Sequence, residues 1–308
     1  MRHVIAFACA LIIPCISYAE EAAIRPAITG ISHMTLYADD LSKSQHFYSA
    51  LLGWQQMPPG DARSGIRFYA NHEQYIELVS PRAMKMTDRL DEIGFATTDA
   101  EALRRFLAAH GVAVPPVVKA EEDGGRSFQV NDPEGNKVEF TETGPNTPKA
   151  PPASSVKVSD QIIHAGFVAH DRAKLDGFYK DLLGFRLYWQ GGPAPGQTDW
   201  VMMQVPDGTD WLEYMLYLPA TPSRGQLGSA NHFSPGVVSV KELADHLKQR
   251  GWTPTGDQGK PLLGVDAKWQ LDLTDPDGTR VEFMEFEPVK EPCCSSFTGP
   301  QPHPPTAW

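Results

Sequence analysis

The sequence predicts an α+β fold in which one β-α-β-β-β unit occurs four times. Two repeated sequence motifs support this prediction. Asp275–Phe283 is predicted to form a turn that contains Pro and Gly and is followed by a strand. It repeats Asp132–Phe140, which lies 143 residues earlier. The stretch Phe178–Phe185 likewise repeats Phe47–Trp54, at a spacing of 131 residues. Repeats of this kind indicate duplicated structural units and outrank any single secondary-structure assignment.

The first two units lie between residues 28 and 143, which we predict to form a first domain. Each has a helix of apolar residues at helical spacing after its first strand, and these helices end at Gly53 and Gly111. Alternation of apolar and polar residues predicts the strands. They are Ile28–Tyr37, Trp54–Met57, Gly65–Ala70, Gln74–Val79, Glu92–Thr97, Val114–Lys119, Arg126–Val130 and Lys137–Thr141.

A second pair of units follows a change in composition. Residues 144–159 are rich in Pro, Ala and Ser and lack apolar periodicity, which predicts a linker. The third unit spans Gln161–Leu218 and the fourth Asn231–Glu287, so residues 160–288 make a second domain. Residues 289–308 are proline-rich and aperiodic, which predicts a disordered tail.

Residues 1–19 have the features of a secretory signal peptide. Arg2 supplies a positive start, Val4–Ile16 is an apolar run too short to span a bilayer, and Ser17–Ala19 is a small-x-small cleavage site. We therefore expect an exported protein, periplasmic or secreted, that leaves the membrane after cleavage. A retained membrane anchor is the alternative.

Composition narrows the classes of partner. Apolar residues make up 41% and charged residues 21% of the chain, as in globular proteins. The net charge of −11 and the lack of a basic run argue against binding to nucleic acid or an anionic membrane. Cys293 and Cys294 are adjacent in the tail, so a disulfide between them cannot cross-link distant parts of a domain. We expect a small-molecule partner, and the sequence does not predict the oligomeric state.

Strand phase picks out a set of polar residues in the second domain. Four strands direct aliphatic side chains to one face and a residue able to bind metal to the other. Those residues are His164, Glu213, His232 and Glu282. A solvent-facing sheet would also alternate in this way. However, the face of Glu213 also carries Trp211, Met215 and Tyr217, and the four polar residues include no Lys. Imidazoles and carboxylates suit a divalent ion, which favours a metal site.

The repeated motifs resemble those of the vicinal oxygen chelate superfamily, which includes glyoxalase I, extradiol dioxygenases and bleomycin-resistance-type binding proteins. The resemblance is carried by the stretch that starts at His33 (HMTLYADDL), by the repeated Phe47–Trp54 motif and by the repeated Asp132–Phe140 motif, and it covers most of residues 28–288. It implies that two units pair to curl an open sheet around a metal. Ligands then come from the first and last strand of each unit.

The resemblance implies a metal set in each domain. In the second domain it is His164, Glu213, His232 and Glu282, similar to the two His and two Glu of glyoxalase I. In the first domain it is His33, Glu77, Glu92 and Glu139. Glu92 stands where a His is usual, so we expect this weaker site to be a degenerate copy. We expect a divalent ion, Zn, Ni, Mn or Fe, and the sequence does not determine which.

The pairing of the units is open on the sequence alone. Pairing of sequence neighbours gives the two sets above, whereas pairing across domains would combine His33 and Glu77 with His232 and Glu282. Short connections are the commoner rule, so we predict neighbour pairing.

Three functions remain. The first is a metal-dependent lyase or isomerase of glyoxalase type that works through an enediolate or enolate, with Glu213 or Glu282 moving the proton. The second is an extradiol Fe(II) dioxygenase, for which Glu213 would be an extra carboxylate. The third is a metal-free small-molecule binding protein. Trp200, Trp211 and Tyr217 are candidate substrate-binding residues, although Trp211 and Tyr217 would equally serve sheet packing.

Overall fold

The computed structural model describes residues 24–57, 65–81, 86–121, 123–147, 157–254 and 258–304. The predicted signal peptide and most of the predicted linker lie outside these residues. Within them, no helix combines the length and the apolar character that crossing a membrane requires.

The strands form the four predicted units. The first domain contains β1 Ile28–Tyr37, β2 Gln55–Met57, β3 Ile66–Tyr69, β4 Tyr75–Val79, β5 Leu90–Thr97, β6 Lys119–Ala120, β7 Arg126–Asn131 and β8 Lys137–Glu142. The second contains β9 Ile162–Val168, β10 Arg186–Gly191, β11 Trp200–Gln204, β12 Trp211–Met215, β13 His232–Val237, β14 Leu262–Leu263, β15 Trp269–Thr274 and β16 Arg280–Glu285.

Each unit has its helix after the first strand. The helices are α1 Leu41–Gln45, α2 Ala100–Ala109, α3 Arg172–Asp176, α4 Arg224–Ala230 and α5 Val240–Gln249. α1 and α3 continue as π-helices over His46–Leu51 and Gly177–Leu182. Asp40 and Asp171 cap α1 and α3 by accepting hydrogen bonds from first-turn backbone amides. The α4 helix connects the third unit to the fourth.

Two eight-stranded curled sheets result, and the α+β prediction is confirmed. The first has the order β2-β3-β4-β1-β5-β8-β7-β6, and the second has the order β10-β11-β12-β9-β13-β16-β15-β14. Each sheet combines two units that are neighbours in sequence, as predicted. The central four strands of each sheet are therefore the first and last strands of two units, which places the predicted metal-binding residues side by side.

The two domains pack through the helices that follow β1 and β9, and their buried apolar residues join in one core. Tyr48 of the first domain donates a hydrogen bond to Asp275 Oδ2 (3.0 Å), and Tyr179 of the second donates to Asp132 Oδ2 (3.2 Å). Each aspartate opens the turn before the last strand of its domain. Each domain therefore stabilises the turn that precedes the last strand of the other domain, which carries Glu139 in the first domain and Glu282 in the second.

The C-terminal tail differs from the prediction of disorder. Backbone hydrogen bonds join Cys293 N to Val265 O (2.8 Å), beside β14, and Thr298 N to Tyr188 O (3.0 Å), in β10. The tail therefore runs from the turn after β14 to β10, where it covers a backbone group of that sheet edge. Proline-rich composition predicted disorder because it removes backbone donors, but the tail pairs with an edge that accepts it.

Side chains also anchor the tail. Phe297 packs on the ring of Tyr188, with ring centroids 4.8 Å apart, and the Nζ of buried Lys268 lies 5.3 Å from the Phe297 ring. Cys293 and Cys294 are bonded to each other. Because the bonded residues are neighbours, this disulfide closes no long loop and the fold does not depend on it.

Candidate metal centre

The second sheet brings four predicted residues together. His164 lies on β9, Glu213 on β12, His232 on β13 and Glu282 on β16. Each offers one ligand atom, and these atoms all lie within 4.8 Å of one another. All four side chains are buried. Strand phase thus located the group, because the four strands are adjacent and direct these residues to the same side.

The contacts in this group converge on Glu282. Its Oε2 lies 3.1 Å from His164 Nε2 and 3.2 Å from His232 Nε2. Glu213 Oε2 lies 3.3 Å from His232 Nε2 and 3.7 Å from His164 Nε2. The two imidazole Nε2 atoms are 2.9 Å apart. Two nitrogens and two carboxylates therefore face one point.

Neighbouring residues orient the two imidazoles. The Nδ1–H of His232 donates to Ala230 O (2.8 Å), which leaves the lone pair of Nε2 directed into the group. The opposite strand carries Gly166, where a Cβ would lie 2.0 Å from His232 Cε1, so only glycine leaves room for this ring. His164 stacks on Trp211, with ring centroids 4.8 Å apart.

A partly buried arginine that the sequence reasoning missed completes the group. Arg280 lies two residues before Glu282 on β16, on the same face. Its Nη1 donates to Glu282 Oε1 (3.0 Å), its Nη2 to His232 Nε2 (3.0 Å) and its Nε to Ser229 O (2.9 Å). Strand phase places Arg280 on the face of Glu282, but arginine is not a residue type that binds metals, so the metal-ligand pattern does not include it.

Burial and charge set the protonation of these groups. Burial lowers the pKa of His164, because a low-dielectric environment disfavours imidazolium. Burial and Arg280 also oppose protonation of His232, but its contacts with Glu213 and Glu282 outweigh them and raise its pKa. For Glu282, burial acts to raise the pKa, yet Arg280 and the two imidazoles hold it well below its usual range. Glu282 is thus a carboxylate, the charge state that a cation requires.

The donor set fits a divalent metal ion. Two imidazoles and two carboxylates are the ligands of Zn²⁺, Mn²⁺, Ni²⁺ and Fe²⁺ sites, and metal-binding histidines commonly donate their second N–H to a backbone carbonyl, as His232 does. Metal binding would take the Nε2 lone pair that now accepts from Arg280.

The first sheet assembles a smaller group. His33 Nε2 lies 3.3 Å from Glu139 Oε2 and 3.6 Å from Glu92 Oε1, and all three residues are buried. Thr35 Oγ1 donates to Glu92 Oε1 (3.2 Å). His33 Nδ1 lies 3.0 Å from Ser32 Oγ. This group has one imidazole where the second sheet has two, as predicted from Glu92.

Glu77 lies outside this group, contrary to the prediction. Arg67 Nε donates to Glu77 Oε2 (2.9 Å), and its guanidinium lies 4.6 Å from the ring centroid of Tyr75. The register pairs Glu77 with Arg67 across β4 and β3, whereas Glu213 is paired with Met202 across β12 and β11. The arginine therefore holds Glu77 away, and an apolar neighbour leaves Glu213 facing the imidazoles.

The three predicted substrate-binding aromatics have different positions. Trp211 is fully buried between His164 and Tyr188, so it supports the imidazole from behind. Tyr217 is 44% exposed, and its ring contacts that of Trp200 edge-on with centroids 6.2 Å apart. Of the three aromatic residues, Tyr217 is therefore the most exposed, and Trp200 packs against it.

Comparison with solved structures gives relatives with low sequence identity. The 2,3-dioxygenase LapB from Pseudomonas sp. KL28 superimposes with a TM-score of 0.65 at 18% identity, over 92% of this chain and 97% of that one. Homoprotocatechuate 2,3-dioxygenase from Arthrobacter globiformis gives 0.66 at 17% identity, over 85% and 80%. A Mn(II)-bound glyoxalase from Novosphingobium aromaticivorans gives 0.61 at 21% identity, over 84% and 83%. These likenesses concern the fold.

Sequence comparison identifies the family. A comparison with curated proteins gave no match. The family described as "Glyoxalase/Bleomycin resistance protein/Dioxygenase superfamily" matches residues 30–140 and 161–283, which are the two domains seen in the structure. The chain belongs to the glyoxalase/bleomycin resistance protein/dioxygenase superfamily.

Proposed function

We propose that this protein is a divalent-metal-dependent lyase or isomerase of the glyoxalase type, which moves a proton beside a carbonyl of a small-molecule substrate. The observation that carries the proposal is the position of Glu213. With His164, His232 and Glu282 it makes a four-residue donor set of two imidazoles and two carboxylates. Such a set favours redox-neutral chemistry, because a fourth protein ligand takes a position that dioxygen chemistry needs open.

His164, Glu213, His232 and Glu282 would hold the ion. When bound, a divalent ion supplies Lewis-acid polarisation of a substrate carbonyl. Glu282 is restrained by Arg280 and by both imidazoles, whereas Glu213 forms its ion pairs, within the described part of the chain, with the two imidazoles. We therefore assign proton transfer to Glu213 and a holding role to Glu282.

The walls of the site suit a small molecule with an apolar part. Tyr217 is exposed and packs against Trp200, and Trp211 keeps the ring of His164 in place. Trp211 is fully buried, so it keeps water from that side of the donor set. The sequence features of residues 1–19 support export, so we propose that the substrate is met in the periplasm or outside the cell.

An extradiol Fe(II) dioxygenase is the second candidate. His164, His232 and Glu282 would supply two His and one carboxylate, and both imidazoles lie 3.1–3.2 Å from the same carboxylate oxygen. Two of the structural relatives above are dioxygenases. In this function Glu213 would have to leave the ion or stay unbound.

Metal analysis of the purified full chain tests the proposal. We expect a bound divalent ion that is lost in the double variant His164→Ala with Glu282→Gln and kept in the matched first-domain variant His33→Ala with Glu139→Gln. Manganese, nickel or zinc without oxygen uptake supports the lyase or isomerase. Iron with oxygen uptake on catechols would overturn it in favour of the dioxygenase. Absence of bound metal would favour a binding protein.

A further inference from the structure

Arg280 places a cation at the border between the buried donor set and solvent. Its side chain is 18% exposed, whereas those of His164, His232, Glu213 and Glu282 are 0–7% exposed. Arg280 also interacts electrostatically with Tyr217, which is 44% exposed. Of these five side chains, the guanidinium is therefore the one most accessible to a substrate.

The present partners of Arg280 are themselves candidate metal ligands. Nη2 donates to the lone pair of His232 Nε2, and Nη1 donates to Glu282 Oε1. A metal ion on His232 would use the same lone pair, so the Nη2 donor would lose its acceptor. The bond from Nε to Ser229 O keeps the guanidinium in place when this happens.

We propose that Arg280 is a specificity-determining residue that binds an anionic oxygen group of the substrate, such as a carboxylate, next to the oxygens that reach the metal. The inference rests on the proposed function and deepens it by naming an acidic substrate class. A guanidinium is suited to this role, because it stays charged and presents parallel N–H donors that match a carboxylate.

The first domain shows that a basic residue here need not face the site. Lys137 occupies the same place on β8 as Arg280 does on β16, and it forms its ion pair with Asp91. The first domain thus turns its cation away, whereas the second directs an arginine toward the donor set. Among the described residues, Asp272 and Glu213 also act electrostatically on Arg280, and Asp272 forms an ion pair with it, with Oδ1 3.7 Å from Nη1.

The test uses the full chain loaded with Mn²⁺ and uses oxalate as the anionic probe. Mn²⁺ affinity is measured first by titration calorimetry, and oxalate affinity is then measured on the loaded protein, with the Mn²⁺ resonance as a second readout. In Arg280→Gln we expect oxalate to bind about 10–100 times more weakly, because one charge-assisted contact is lost. Oxalate affinity is compared at full Mn²⁺ loading of each protein, so that a change in Mn²⁺ affinity does not enter the comparison.

Two further variants make the test decisive. Arg280→Lys keeps the charge without the fork of donors, so its oxalate affinity should lie between those of the unaltered chain and Arg280→Gln. Lys137→Gln is the matched control and should leave both affinities unchanged. Equal oxalate affinity in the unaltered chain and Arg280→Gln would overturn this inference while the proposed function stands. Failure of the unaltered chain to bind any of Mn²⁺, Ni²⁺ and Zn²⁺ would overturn both.

Discussion

The two domains place a glutamate at the same position of the same strand and treat it differently. Glu77 of β4 is held by Arg67, while Glu213 of β12 faces the imidazoles beside Met202. Both carboxylates are buried, so burial does not separate them. The cross-strand neighbour does, because a guanidinium on the adjacent strand pairs with the buried carboxylate of Glu77 and keeps it out of the His33 group.

A second cross-strand pair follows the same rule. In the second domain Gly166 lies opposite His232 and leaves room for the ring. In the first domain Thr35 lies opposite Glu92 and donates to its carboxylate. The residue opposite each candidate ligand on the adjacent strand therefore suits that ligand: glycine leaves room for the imidazole, and threonine donates a hydrogen bond to the carboxylate. Duplicated sheets can diverge in chemistry through such pairs without a change of fold.

Met202→Arg should have the largest effect of the changes that test this comparison. It places in β11 the residue that captures Glu77 in the first domain, so the new guanidinium should pair with Glu213. We expect divalent-metal affinity of the second domain to fall by at least about 100-fold, because one ligand is withdrawn. Titration of the apo protein with Mn²⁺ measures this.

Met202→Leu is the control for that change. It keeps the volume and apolar character of the buried side chain, so metal affinity should be retained. Since a buried arginine also affects folding, circular dichroism must show that Met202→Arg retains the native spectrum. Unchanged Mn²⁺ affinity in a folded Met202→Arg protein would contradict the idea that the cross-strand neighbour directs Glu213.

Asp210 and Gln74 form a second contrast, because they occupy matching positions just before β12 and β4. Each contacts the other domain: Gln74 Oε1 accepts from Ile162 N (2.9 Å), and Asp210 Oδ2 accepts from Ile31 N (3.0 Å). Only Asp210 ionises. Its burial raises the pKa from 3.8 to about 7.

Folding stability should therefore depend on pH through Asp210. Between pH 4 and 7 the unfolded chain releases the proton that the folded protein retains, so the free energy of unfolding falls as pH rises. The loss amounts to at most about 4 kcal/mol, from 1.36 kcal/mol for each pKa unit. Asp210→Asn should flatten this slope in urea unfolding experiments at pH 5 and pH 8.

The matching change Gln74→Glu should add a slope of the same sign, because it introduces a buried acid at the equivalent position. If Asp210→Asn and the unaltered chain lost the same stability between pH 5 and pH 8, the carboxyl of Asp210 would not be the titrating group.

Much of the fold was predictable because it is repeated. Comparison of the turn and strand Asp275–Phe283 with Asp132–Phe140 indicated that the structural units are repeated. Strand phase then located His164, Glu213, His232 and Glu282. Both are local signals with a fixed period. They depend on which face a side chain takes, and the tertiary structure preserves that choice.

The features that were missed depend on neighbours that are distant in sequence or on unusual pairing. Glu77 follows the same phase as Glu213, and only the register of β3 with β4 shows that Arg67 withdraws it. The tail has no periodicity, yet Thr298 pairs with β10 through its backbone. Composition predicts whether a segment can form a core, but not whether an open sheet edge will accept it.

The reciprocal tyrosines give the smallest but most discriminating contrast. Tyr48 and Tyr179 each donate one hydrogen bond across the domain interface, to Asp275 and Asp132. Replacing either with Phe should lower the free energy of unfolding by about 1–2 kcal/mol, since each leaves a buried carboxyl with one donor fewer. Chemical denaturation should give similar values for the two variants.

Metal affinity should separate these two variants. Asp275 opens the turn that leads into Glu282, and its Oδ1 accepts from the backbone N–H groups of Asp277 and Thr279. Tyr48→Phe loosens this turn, so we expect Mn²⁺ to bind the second domain several-fold more weakly, a smaller effect than loss of a ligand. Tyr179→Phe loosens only the first-domain turn and serves as the matched control. Equal Mn²⁺ affinity in both variants would mean that the first domain stabilises the second without positioning Glu282.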